Sequence, residues 1–199
     1  MQNQANDNAL RGSAKFILIT ALKLLIISAV TALLLSVVNA LTAGKIAENA
    51  EKEKNAAISA IFPSADSTEK IDVAIDGVDE IYLVSSDGDL LGYAAGVSPN
   101  GFGGAIDMMV GVGTDGSITG IKIVSHSETP GLGSRVNDVG YLSMYTGKSG
   151  TLSFGNGIDA ITGSTISSKA VLEAANRALA AYSSIFTEND TLAGGQTGR

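Results

Sequence analysis

The sequence predicts an α+β fold: an antiparallel β-sheet with packing helices, preceded by one N-terminal transmembrane helix. Three observations carry this. Leu24 to Ala43 form 20 consecutive positions without a charge. Between residues 79 and 125, four runs rich in Val, Ile, Leu and Tyr are separated by turn formers, two of the breaks being Asp-Gly. Residues 166–186 then repeat apolar side chains at helical spacing.

Length and composition narrow the chemistry. At 199 residues the chain is one domain with appendages. It has no cysteine, which excludes disulfides, zinc sites and cysteine-ligated iron–sulfur clusters of its own. His126 is the one histidine, so a multi-histidine metal site is excluded as well. A net charge of −7 leaves no basic stripe to neutralise nucleic-acid phosphates. The 24 glycines fit a turn-rich β component.

Taken in order, residues 1–15 form a cytoplasmic N-terminus and residues 16–43 the transmembrane helix, long enough to cross a hydrocarbon core of about 30 Å. A cleaved signal peptide would carry an apolar region of only about 7–15 residues, so the segment reads as an uncleaved anchor. Arg11, Lys15 and Lys23 precede its uncharged part, and the positive-inside rule then keeps the N-terminus in the cytoplasm and puts the domain on the outer side. A juxtamembrane helix continues over 44–62, with Ile46, Ala47, Ala50, Ala57, Ile58 and Ile61 near helical spacing, and Phe62-Pro63-Ser64 ends it. The strands are DEIYLVSS, DLLGYAAGVS, GAIDMMVGVG and SITGIKIVS, a meander with Asp-Gly at 87–88 and 115–116. In the 166–186 helix, Ala170, Val171, Ala174, Ala175, Ala178, Tyr182 and Ile185 share one face. Glu173 and Arg177 on the other form an i,i+4 pair. Residues 187–199 carry no apolar period and read as a flexible tail.

Some motifs fail on context. Gly111-Val-Gly113-Thr-Asp-Gly116 matches G-x-G-x-x-G, but a strand follows it where a dinucleotide site needs a helix. His126-Ser-Glu128 has the H-x-E of zinc deaminases without their cysteines. A serine hydrolase would depend on His126 as its base, and no G-x-S-x-G elbow supports one.

Two loops remain. Ser125–Arg135, SHSETPGLGSR, has a well-formed turn signal at Thr129-Pro130-Gly131, yet it also crowds His126, Glu128 and Thr129 into one polar segment. The second is Asp159-Ala-Ile-Thr162-Gly163-Ser164-Thr165, which opens the last helix. Capping needs one hydroxyl and here there are three. Gly163 permits close approach, and a helix N-terminus binds anions, so Gly163–Ile166 suits a phosphate.

Together these loops resemble the FMN-binding domain family, and within it the branch formed by the G subunit of the Rnf electron-transport complex, with the C subunit of the sodium-translocating NADH:quinone reductase as sibling. The family signature D-x-x-[ST]-G-A-[ST] fits residues 159–165 except for Ser164 in place of Ala, and the H-x-E-T-P-G-L-G loop is complete at 126–133. GFGGAIDMMVGV at 101–112 resembles the family's glycine-rich strand.

The resemblance implies an FMN-binding domain over 63–186, with FMN carried through a phosphodiester bond to Thr165. It implies contacts from Ser164, Gly163, Thr162, His126, Glu128, Thr129, Leu132 and Gly133. Asp159 would be read by a separate Mg²⁺-dependent flavin transferase. Catalytic side chains and metal ligands are not implied. The chain would be an electron-relay subunit of an ion-translocating oxidoreductase complex in the cell membrane, inactive alone, with the other subunits and membrane lipid as partners. A membrane-anchored module that binds flavin or another phosphorylated ligand without a covalent bond is the alternative.

Overall fold

A computed structural model describes residues 2–72 and 74–193, with side chains over 17–72 and 74–186. Helix α1 runs Gln2–Ile61 without a break. Five strands follow: β1 (Ser67–Ile71), β2 (Glu80–Ser86), β3 (Asp89–Val97), β4 (Ile106–Gly113) and β5 (Ile118–His126). A 3₁₀ turn at Gly133–Asn137, the short helix α2 (Val139–Leu142) and a second 3₁₀ turn at Ser143–Tyr145 lead to helix α3 (Thr165–Ala193). The chain divides into two compact units, residues 1–51 and 52–199.

The first unit is the apolar helix. From Ile17 to Ile46 its large side chains, such as Leu18, Leu25, Leu33 and Leu41, are exposed, and it is long and apolar enough to cross a membrane. Two of its hydroxyls bond back within the helix. Thr31 Oγ1 donates to Ile27 O and Thr42 Oγ1 to Val38 O, each at 2.8 Å, which suits a solvent that offers no acceptors.

The second unit is a sheet covered on both faces. Its strands pair in chain order, all antiparallel. Because successive side chains alternate between faces, Tyr93 and Ala95 enter one core while Ala94 enters the other. The larger core packs Tyr93, Met108 and Val110 against Ala170, Val171, Ala174, Ala175 and Ala178 of α3. The smaller sets Ala57, Ile58, Ile61 and Phe62 against Tyr82, Val84, Ala94 and Met109. The last turns of α1 therefore belong with the sheet, in the compact unit that begins at Lys52. Cross-strand partners Gly111 and Gly120 admit Ile61, which a Cβ at Gly111 would strike. The small residues on α3 give close helix–sheet approach, and Tyr93 Oη donates to Ala178 O at 2.6 Å.

Two expectations change. The sheet has five strands rather than four; β1, STEKI, is an exposed edge strand without an apolar face, so it carries no alternation to read. Helix α3 starts at Thr165 and continues to Ala193, so the first part of the segment expected as a flexible tail is helical. The remainder of that segment, 194–199, lies outside the described residues. The Asp-Gly turns form as expected: Asp87 and Gly88 both have positive φ (53° and 87°), and Gly116 (75°) closes the β4–β5 hairpin. The G-x-G-x-x-G match is that hairpin. Glu173 and Arg177 form their ion pair, and Arg177 also donates to Gly77 O at 3.2 Å.

Candidate functional site

The two loops singled out in the sequence meet at the N-terminus of α3. The first folds back on Thr129, whose carbonyl accepts from Leu132 N (3.1 Å) and Ser134 N (3.2 Å), while Ser134 Oγ accepts from Gly131 N (2.9 Å). The second makes a tight turn, Ser164 N to Ile161 O at 2.9 Å, with Gly163 at φ 83° where an L side chain would be strained. Ser168 Oγ accepts from Ile161 N at 3.0 Å and pins that turn to the helix. The loops are joined by Ser164 Oγ, which donates to Leu132 O at 2.7 Å. The hydroxyl best placed in sequence to cap α3 thus holds the neighbouring loop. Its backbone carbonyl still accepts the first helical bond, from Ser168 N at 2.9 Å.

Between them lies an open cavity of about 290 Å³. Thr129, Leu132 and Gly133 form one wall, and Gly163, Ser164 and Thr165 the other. Phe102, 71% exposed, Ile166, 52%, and Leu132, 46%, give it an apolar rim. Thr165 is exposed at the first position of α3, and its hydroxyl makes no hydrogen bond among the described residues. The positive end of the helix dipole opens onto the same space.

Glu128 lines the cavity yet is turned into its frame, only 6% exposed. Oε1 accepts from Gly103 N at 3.1 Å and Oε2 from Ser167 Oγ at 2.9 Å. Cβ atoms at Gly101 and Gly133 would run into this carboxylate, and one at Gly103 into the backbone of Ser127. Three glycines from two loops thus form a socket for one side chain.

Of the residues singled out in the sequence, Glu128, Thr129, Leu132, Gly133, Gly163, Ser164 and Thr165 line the cavity. His126, Thr162 and Asp159 are not among its lining residues. His126 Nδ1 instead accepts from Glu128 N at 3.2 Å and shapes the loop, and Thr162 and Asp159 are exposed. Phe102 and Ser167 were not legible as site residues. An exposed Phe between glycines was the available signal for the first.

Residues 101–180 match the model of the FMN-binding domain, and residues 6–61 that of the RnfG N-terminal region. The G subunit of the ion-translocating oxidoreductase complex from Methanosarcina acetivorans is 33% identical over 65% of this chain and 74% of its own. The chain belongs to the RnfG family. The G subunit of the Na⁺-translocating ferredoxin:NAD⁺ oxidoreductase complex of Acetobacterium woodii is 39% identical over 53% of this chain and 56% of its own. The chain spans between half and three fifths of the length of the first relatives it matches. A crystal structure of Shewanella oneidensis NqrC is also similar, with 24% identity, 58% of this chain and 65% of that chain covered, and a TM-score of 0.43.

The residues present suit the group the family binds. The apolar rim of Phe102, Leu132 and Ile166 offers contact to a planar ring system, and the free Thr165 hydroxyl at a helix N-terminus suits a phosphate.

Proposed function

We propose that this chain is an electron-relay subunit of a membrane-bound, ion-translocating oxidoreductase complex, carrying FMN through a phosphodiester bond to Thr165. The observation that supports this most directly is the place of Thr165: exposed, first in α3, and on the wall of the cavity formed by both family loops. A threonine hydroxyl buried in the core could not reach a modifying enzyme. This one is accessible from solvent.

Attachment joins Thr165 Oγ1 to the FMN phosphorus of FAD, breaks the pyrophosphate bond and releases AMP and the hydroxyl proton, the work of a separate flavin transferase. Asp159, exposed six residues before the acceptor, is placed for that enzyme to read. Once bound, FMN supplies the redox chemistry, and the chain supplies position. The end of α3 stabilises the phosphodiester anion, Ser164 and Gly163 fix the turn that presents Thr165, and the apolar rim excludes water from the ring. Arg11, Lys15 and Lys23 orient the anchor with the FMN domain on the outer side.

Intact mass of the full chain produced with and without flavin transferase tests this reading. A mass increase of one FMN less water, only with the transferase, is expected. Colour that washes out on denaturation would instead mean a non-covalent flavin module.

A further inference from the structure

We propose that the buried Glu128 carboxylate lowers the reduction potential of the group held in the cavity, acting through its charge rather than as a ligand. The inference rests on the FMN reading above. Both carboxylate oxygens are engaged, one by the Gly103 amide and the other by the Ser167 hydroxyl. No cation lies within ion-pair distance of it among the described residues, in contrast to Glu80, which meets Lys54 and Lys70. A buried charge held by hydrogen bonds alone is costly, and a glutamine of the same shape could brace the loops without that cost. The glycine socket at Gly101 and Gly133 keeps the carboxylate fixed in the cavity wall.

Two-electron reduction of the ring with uptake of one proton adds one negative charge to it. A fixed anion in the same low-dielectric wall opposes that addition. Glu128 is thus a tuning residue, and the frame of loop and helix holds its charge at constant distance.

The test is a dithionite titration of the FMN-loaded full chain in detergent, with dithionite oxidised to sulfite as the electron source. Glu128→Gln is expected to favour the reduced state about tenfold, which for a two-electron couple is a rise of about 30 mV. Glu128→Asp, which keeps the charge, and Ser167→Ala, which keeps the charge but loosens the frame, should leave the midpoint unchanged or lower. An unchanged midpoint in Glu128→Gln, or an equal rise in Ser167→Ala, overturns the proposal. If Glu128→Gln does not load, Glu128→Asp decides it, and a rise of about 30 mV there also overturns it. Failure of the wild-type chain to gain FMN mass would be a failure of the function reading and is seen before any titration begins.

Discussion

The hydroxyl of Ser164 donates to the carbonyl oxygen of Leu132 at 2.7 Å, joining two loops 32 residues apart in the chain. Ser164 is 5% exposed, and the bond crosses the base of the cavity that Thr165 borders. Ser164→Ala should therefore cost about 1 kcal/mol of stability by leaving that carbonyl without its donor. Since Ala is the residue the family signature carries there, FMN attachment should persist. Thermal unfolding and intact mass on the same sample check both halves.

Thr165→Ala should abolish covalent flavin while leaving the fold intact, because the side chain is exposed and makes no hydrogen bond among the described residues. Thr165→Ser keeps the nucleophilic oxygen and should retain part of the attachment. In-gel flavin fluorescence reads the result, and a fluorescent Thr165→Ala band would place the linkage elsewhere.

Glu80 gives the pH dependence. Burial pushes its carboxyl up, but hydrogen bonds from Lys54 (2.6 Å) and Lys70 (2.9 Å), the Lys54 charge and the Tyr82 hydroxyl (3.1 Å) together hold it below the ordinary glutamate range. A carboxyl with a lower pKa folded than unfolded contributes stability above its unfolded value and loses it as pH falls through the folded one. Glu80→Gln should lower the thermal midpoint at pH 7 and flatten its decline below about pH 4.5. Equal acid sensitivity in wild type and variant would assign that decline to other groups.

On the proposed orientation, with Arg11, Lys15 and Lys23 on the inner side, added protease should remove the FMN domain from intact cells. Complete protection of the domain, with cleavage only after lysis, would reverse the orientation.

The FMN-loaded chain alone should take electrons from dithionite and oxidise NADH at no appreciable rate, with activity appearing in the assembled complex. Its G-x-G-x-x-G match is a β-hairpin, and so offers no nicotinamide site. Rapid NADH-dependent bleaching of the pure chain would make it an enzyme in its own right.

The sequence by itself determined what neighbours along the chain decide: the uncharged span, the Asp-Gly hairpins, the apolar face of α3 and the two loops that carry the family resemblance. Each depends on a few adjacent residues, because hydrophobic period and turn chemistry are local. The edge strand β1 escaped because its pairing with β2 is made by backbone groups, and its exposed side chains leave no pattern. Tertiary structure alone decided that the Ser164 hydroxyl clamps the neighbouring loop rather than capping α3, and it held the Glu128 carboxylate in the cavity wall within a socket of glycines. It also brought Phe102 and Ile166 to one rim from positions 64 residues apart. Such contacts depend on how strands and helix pack in three dimensions. Residues 103, 128 and 167 become neighbours only once the sheet has placed both loops over the start of α3.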